Sequence, residues 1–318
     1  MEQIPPQASR ESIEAELTAE RFLRYTNKGN NQVFLVNAHD SPRIMDEIGR
    51  LRELAFRTAG GGTGKALDID EYDIAEIPYQ QLVVWDPEEG EMVAGYRLIN
   101  CSNILDHPQG EHLLATSHLF HFSDEFKRDF LPYTIELGRS FVQPKYQKGV
   151  AARKGIFALD NLWDGLGALI KLNPRIRYLF GKVTMYPQFD REARNLILAF
   201  MQHYFPDKGN LVYPIQPLVT QDELEPYMEP WKGLQYKEGY LLLNQKVRQR
   251  NENIPPLINS YMNLSSTMRT FGTALNDEFG EVEETGILVT INDIHQTKKD
   301  RYLGTYERDS VFGRPPTK

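Results

Sequence analysis

The sequence predicts a mixed α/β fold, and three observations carry that prediction. Two β-rich runs, 79–85 (YQQLVVW) and 92–99 (MVAGYRLI), flank Asp86-Pro87-Glu88-Glu89-Gly90, whose residues suit a turn, so they read as a hairpin. Residues 133–185 follow the order strand, helix, strand, which is a βαβ unit. Helical and extended patterns then alternate along the rest of the chain, with no internal repeat and no low-complexity tract.

The elements follow in order. Residues 9–28 read as a polar, partly amphipathic helix ended by the Asn/Gly cluster 27–31, and 32–38 (QVFLVNA) as a short strand. Ser41-Pro42 starts a helix, with serine able to cap and proline at its first position. Ile44, Ile48, Leu51 and Ala55 give that helix a buried face. After it, 59–65 (AGGGTGK) is a flexible loop, and past the hairpin 100–131 is irregular. The strand at 133–142 stops at Pro144. Residues 151–172 form a helix with Ile156, Leu159, Leu162, Trp163, Leu166 and Ile170 on its apolar face. Strand 177–185, helix 191–204 and strand 211–215 come next. Residues 216–285 contain one long helix after Pro255-Pro256, 286–291 (GILVTI) is a strand, and the tail from about 295 is polar and loose.

Composition removes several function classes. The 318 residues are 41% apolar and 25% charged, enough to bury a core. Mean hydropathy is -0.49, and no run approaches the roughly 18 apolar residues of a membrane helix. The first residues are polar and acidic, without a signal-peptide apolar region, so a cytoplasmic location is expected. A single cysteine, Cys101, excludes a disulfide framework or a cysteine-rich zinc site. A net charge of -8 argues against nucleic acid as a partner. Yet 137–159 and 165–189 contain no Asp or Glu while holding Arg139, Lys145, Lys148, Arg153, Lys154, Lys171, Arg175, Arg177 and Lys182. Either an anionic partner docks there or the segment excludes acids because it is buried.

Several motifs fall short of their chemistry. The run 59–66 resembles a phosphate loop, but Ala59 replaces its leading glycine and Ala66 its magnesium-holding hydroxyl. A mobile loop covering a substrate is the better reading. His107, His112, His118 and His121 lack a framework for a metal, so no metal is expected. No serine lies in a nucleophile elbow and Cys101 has no base partner, which leaves covalent catalysis without a candidate.

A set of charges at strand positions is more informative. Asp70 and Asp73 precede the hairpin, Arg97 lies in its second strand, and Glu136 and Arg139 lie in the strand 133–142. Alternation puts Ile135, Leu137 and Arg139 on one face and Thr134, Glu136 and Gly138 on the other, unless a bulge near Gly138 changes this. Unpaired charge is costly inside a sheet, so these residues either pair with one another or hold and activate a polar substrate.

The order Arg52–Phe56, Asp70, Asp73, Gly95-Tyr96-Arg97-Leu98 and Glu136-Leu137-Gly138-Arg139-Ser140-Phe141-Val142, with Ile254-Pro255-Pro256-Leu257 later, resembles the amino-acid N-acyltransferases of ornithine-lipid and glycine-lipid synthesis. These resemble acyl-homoserine-lactone synthases, and both share a GNAT-like fold. The glycine run followed by Asp68-Ile69-Asp70-Glu71-Tyr72-Asp73 is most similar to the glycine-lipid branch. The likeness spans about 32–292. It implies a GNAT-like mixed central sheet flanked by helices with a C-terminal extension. The implied organisation is an N-terminal helical arm over 1–31, an acyltransferase domain over 32–292 with 216–285 as a family-specific extension, and a polar tail over 293–318. One departure is Gln147-Lys148-Gly149-Val150-Ala151, a residue short of the GNAT pyrophosphate-binding pattern.

The resemblance implies transfer of a long acyl group, plain or 3-hydroxylated, from a thioester to an amino-acid amine, glycine before ornithine, as the first step of an aminolipid pathway. No permanent cofactor is expected. The donor is an acyl-phosphopantetheine on acyl carrier protein or coenzyme A, and Lys145, Lys148, Arg153 and Lys154 are the expected carrier contacts. Glu136 is the expected general base. Arg97 and Arg139 would bind the acceptor carboxylate or orient Glu136, and Asp70 and Asp73 would fix those arginines or the acceptor amine. Arg52 and Phe56 would close the pocket, and a backbone N–H near Ser140, Phe141 or Val142 would hold the oxyanion. The acyl chain is expected between the central strands and helix 151–172. Contact with the inner membrane stays open. The competing readings are an acyl-homoserine-lactone synthase-like enzyme and a non-catalytic GNAT-like acyl-binding module.

Overall fold

The computed structural model describes residues 1–147, 155, 157–219 and 221–306. Its strands are β1 (Phe22–Tyr25), β2 (Gln32–Val36), β3 (Gln80–Asp86), β4 (Glu91–Asn100), β5 (Phe120–Phe122), β6 (Thr134–Val142), β7 (Tyr178–Met185), β8 (Val212–Pro214), β9 (Arg269–Asn276) and β10 (Val282–Thr290). Its helices are α1 (Arg10–Glu14), α2 (Pro42–Ala59), α3 (Glu71–Ile74), α4 (Ala158–Leu172), α5 (Arg191–Tyr204), α6 (Gln221–Met228), α7 (Tyr236–Gln249), α8 (Pro256–Met262) and α9 (Gln296–Tyr302). The α/β class is as predicted. The described residues of Met1–Leu113, Ile135–Ile176 and Gln296–Lys318 form one compact unit, and those of Leu114–Thr134 and Arg177–His295 a second.

The first unit is built on an antiparallel ladder in the order β1-β2-β3-β4-β6. β3 and β4 are buried along almost their whole length, because both faces are covered. Helix α4 seats on one face, close enough that a Cβ at Gly165 would lie 2.7 Å from Leu82 and 2.9 Å from Val33. That closes the helix–sheet interface around Gly165. On the other face Arg52 reaches from α2 to Gln81 of β3. In the hairpin turn the Asp86 carboxylate accepts the N–H groups of Glu88 and Glu89, and Gly90 takes a positive φ.

The bulge foreseen near Gly138 is present. Gly138 stands opposite Arg97 while Phe141 stands opposite Gly95, so β6 carries one residue more than β4 between these pairs. Arg139 sits in that bulge with φ 50.

Four local expectations need correction. The helix predicted over 9–28 ends at Glu14, and Phe22–Tyr25 instead forms β1, with Phe22 and Tyr25 packed edge-on and Phe22 opposite Phe34. Ser41 does not cap α2, because its hydroxyl turns back to Asp40. The helix after Pro255 is only Pro256–Met262, since Asn263 bonds back to Asn259 there. The longer helix is α7, which buries Gly239, Leu243 and Val247 at four-residue spacing. Residues 296–302 are no loose tail: α9 docks on α4, with Tyr302 stacked on Trp163 and its hydroxyl donating to Asp160 at 2.7 Å.

The second unit pairs β7-β10-β9 antiparallel and adds a separate β5-β8 pair. Phe126, Phe180 and Phe271 cluster in its core, and Phe200 packs against Trp231. A cavity of about 310 Å³ opens there among Leu198, Met201, Val212, Phe271, Thr273 and Thr285.

Candidate active site

The predicted charges converge on one face of β3, β4 and β6. Gln81 is the cross-strand neighbour of Arg97, Arg97 of Gly138, and Ile99 of Glu136. Strand alternation therefore places Gln81, Arg97, Glu136 and Gly138 on the same side, away from α4. Helix α2 brings Arg52 to this face, and the segment 68–74 brings Asp68, Asp70 and Asp73.

The short helix α3 explains the spacing of the last two acids. Asp70 is its N-cap and accepts the Asp73 N–H, while Asp73 accepts the Asp70 N–H, a reciprocal capping box. Both carboxylates keep lone pairs free for arginines. Arg52 donates to Asp73 at 2.9 Å and to Gln81 at 2.5 Å, and Gln81 donates to Asp73 at 2.9 Å. Arg97 Nη1 donates to both Asp70 oxygens at 2.6 Å and stands 3.4 Å from Asp73. Its guanidinium also lies 5.0 Å from the ring centre of Tyr79 and 5.8 Å from that of Tyr72.

The bulge decides where Arg139 goes. Simple alternation would send it to the α4 side. Its left-handed backbone instead turns Nε to Asp68 at 3.0 Å and Nη2 to Asp70 at 3.5 Å. Phe141 also comes onto the shared face, where its ring covers Gly95. Ser140 and Val142 are half-buried beside it.

Electrostatics follow from burial and pairing. Burial alone would raise the Asp70 carboxyl, but Arg97, Arg139 and Arg52 outweigh it and hold it well below the usual carboxylate range. Burial likewise works against the Arg97 charge, and Asp70 and Asp73 more than compensate. Three guanidiniums thus face three aspartates, and Glu136, only 2% exposed, adds a further acid to the balanced set. Its carboxylate lies close enough to act, after burial, on Cys101, whose thiol is pushed up. It also contributes to raising the Tyr72 phenol, which burial first and then Glu71, Asp70 and Glu136 push up to about 12. Arg97 Nε, by contrast, is buried with no hydrogen-bond partner among the described residues.

Other predicted residues fall elsewhere. Phe56 is buried on α2, one turn beyond Arg52. Lys145 is exposed, pairs with Glu91 and stands 3.9 Å from Glu89, so part of the expected basic field is neutralised. Lys148, Arg153 and Lys154 lie outside the described residues. Lys182 is buried against Glu284 in the second unit. Sequence reasoning did not single out Asp68, Gln81 and Tyr72. Asp68 and Tyr72 stand within the acidic run it used, whereas Gln81 gave no signal beyond its place in an apolar strand.

The glycine loop is also resolved. It is not a mobile cover, because Glu53 on α2 fills it. One oxygen accepts the Thr63 N–H and hydroxyl at 3.0 and 2.8 Å, and the other accepts the Gly64 N–H at 2.9 Å. An internal carboxylate occupies the amides a phosphate loop would offer to its ligand.

Comparison with known proteins gives the family of the chain. Residues 51–154 match the acetyltransferase (GNAT) domain family. The glycine N(alpha)-acyltransferase of Bacteroides thetaiotaomicron is 51% identical over 306 residues, 96% of this chain and 91% of that protein. That of Phocaeicola vulgatus is 50% identical over 306 residues, 96% and 94% of the two chains. Among solved structures, the acyl-homoserine-lactone synthase LasI aligns over 86% of this chain and 94% of its own, at 12% identity and a TM-score of 0.39. The chain is an acyltransferase enzyme and belongs to the GNAT-type amino-acid N-acyltransferases, the family that includes these two glycine N(alpha)-acyltransferases.

Proposed function

We propose that the chain transfers a long acyl group, plain or 3-hydroxylated, from acyl carrier protein to the amine of glycine, with ornithine the weaker acceptor. The product would enter an aminolipid pathway. The names of the two curated relatives support glycine. The acid-free basic stretch and the shortened pyrophosphate pattern at Gln147–Ala151 support a carrier-protein donor, with Lys145, Lys148, Arg153 and Lys154 as its contacts. No described helix is long and apolar enough to cross a membrane. The reading places the enzyme in the cytoplasm, touching the inner membrane peripherally where its product goes.

One observation carries the mechanism: Glu136 is a buried carboxylate on the strand face that also carries Arg97 and Gly138. An amino acid enters with its ammonium protonated and its amine unreactive. Glu136 takes one proton from that ammonium. The freed nitrogen attacks the thioester carbonyl, the carbon–nitrogen bond forms and the carbon–sulfur bond breaks. The departing thiolate takes up the second proton that nitrogen loses. Arg97 binds the acceptor carboxylate, and a backbone N–H near Phe141 or Val142 holds the oxyanion. Arg139 holds Asp68 and Asp70 in place, which fixes Arg97. Arg52 locks α2 to the same network.

The test has two parts. Expression in a host lacking aminolipids, followed by lipid mass spectrometry, names the head group, and purified enzyme is compared on acyl carrier protein and coenzyme A thioesters. Glu136→Gln lowers kcat at least roughly a hundredfold with unchanged circular dichroism. Full activity in that variant removes Glu136 from the chemistry.

A further inference from the structure

Two glycines on the site face are there for different reasons. Gly95 is a packing glycine, because a Cβ would lie 2.5 Å from the Phe141 ring. Gly138 is not. Its φ is outside the left-handed region, and among the described residues other than its chain neighbours a Cβ would meet a single heavy atom within 4 Å, Arg97 Nε at 3.9 Å. Backbone geometry does not require glycine at that position, and neither does crowding by the described residues. A glycine inside a strand weakens it and gives up side-chain packing, unless something must approach the backbone closely.

The surroundings indicate what approaches. Arg97 Nε–H is buried, has no partner among the described residues, and is the atom nearest the missing Cβ. An unmet donor in such a place is costly and calls for an acceptor. Glu136 lies two residues back on the same face, and successive same-face positions are about 7 Å apart. An α-amino acid, whose carboxylate and amine are one carbon apart, bridges that span with a hydrogen bond at each end. Among the described residues no side-chain amide or hydroxyl accepts from Arg97 Nε, and a negatively charged acceptor gains most from a guanidinium donor.

We propose that the space over Gly138 seats the carboxylate of the acceptor amino acid against Arg97 Nε–H, making Gly138 a specificity-determining position. The proposal rests on the amino-acid acceptor of the reading above and adds where its carboxylate lies and why residue 138 has no side chain.

The experiment compares wild type with Gly138→Ala, Gly138→Ser and Gly138→Val, measuring melting temperature and steady-state kinetics. Wild type is first run on glycine, ornithine and glycinamide, which lacks the carboxylate. Gly138→Ala should melt at or above wild type, since alanine fits this backbone and restricts the unfolded chain. Its KM for glycine should rise roughly ten- to hundredfold, the size of one lost charge-assisted hydrogen bond. Its KM for the acyl donor should stay within about twofold. A glycine KM within about twofold of wild type in Gly138→Ala overturns the proposal, as does a donor KM raised by the same factor. Lower melting in all three variants overturns it in favour of packing. Wild-type preference for ornithine overturns only the choice of glycine, and the same variants then test the seat on ornithine. Equal wild-type use of glycine and glycinamide overturns the seat itself.

Discussion

Asp73 is wholly buried, accepts hydrogen bonds from Arg52 and Gln81, and stands 3.4 Å from Arg97. Its charge is what makes Arg52 tolerable in a place with no exposure. Asp73→Asn keeps the shape and removes the charge, leaving the Arg52 guanidinium against a neutral amide. Breaking one side of a buried pair costs about 3–5 kcal/mol. Urea unfolding should therefore show a lower midpoint with an unchanged slope in Asp73→Asn, and Glu136→Gln should unfold like wild type. A loss below about 1 kcal/mol would mean that the Arg52–Asp73 pair does not hold α2 to α3. The same residues mark the limit of what the chain discloses. Asp70, Asp73, Arg97, Glu136 and Arg139 could be singled out because charge in strands must be paired or used. Their pairing could not be read, because it depends on which residues of β4 and β6 stand opposite, and a single inserted residue at Arg139 alters that.

At the scale of elements, legibility tracked how exclusive each pattern was. The hairpin, α2 and α5 have one strong period each and were read within a residue or two. Residues 9–28 fit a helix by polarity but fold as a short helix and a strand, because Phe22 and Tyr25 find β2 as a partner. The glycine loop reads as open because what fills it, Glu53, lies on the preceding helix. Burial raises that carboxyl, but hydrogen bonds from Arg57, Thr63 and Gly64 outweigh it and leave it lowered. An acid whose native pKa lies below its unfolded value of about 4.3 binds fewer protons when folded. Its stabilisation is thus present above that value and lost as pH falls through the native pKa. Glu53→Gln should flatten this acid limb in a series of chemical melts below about pH 5, and it should open 60–65 to limited proteolysis. A variant with the wild-type acid limb and an uncut loop would show that Glu53 is not what secures the loop.

At the scale of the molecule, the first unit is stitched together by contacts across long stretches of chain that local reading cannot see. Asp164 on α4 accepts the Asn27 N–H at 2.9 Å and its side-chain amide at 2.5 Å, and Asn27 donates onward to Arg301 O. Asp160, one turn earlier, holds Arg301 and Tyr302. The stretch from 295 looked loose because it is polar and carries one aromatic residue that matters, Tyr302, whose partners lie far back in the sequence. Asp164 has the opposite pH logic to Glu53. Burial raises it more than Asn27 and Arg24 lower it, and it is pushed up to about 6. Its unfolded value is about 3.9, so between these two values the folded chain binds the extra proton. The contribution is complete below about pH 4 and is lost as pH rises through 6, an effect of about 2–3 kcal/mol. Asp164→Asn cannot titrate, whatever its own offset in stability. Urea midpoints measured from about pH 4 to 7.5 should therefore fall for wild type relative to Asp164→Asn, with most of the divergence between about pH 4 and 6. Parallel profiles would mean that Asp164 is already ionised throughout, and that the Asn27 bonds, rather than a held proton, keep α4 and the turn before β2 together.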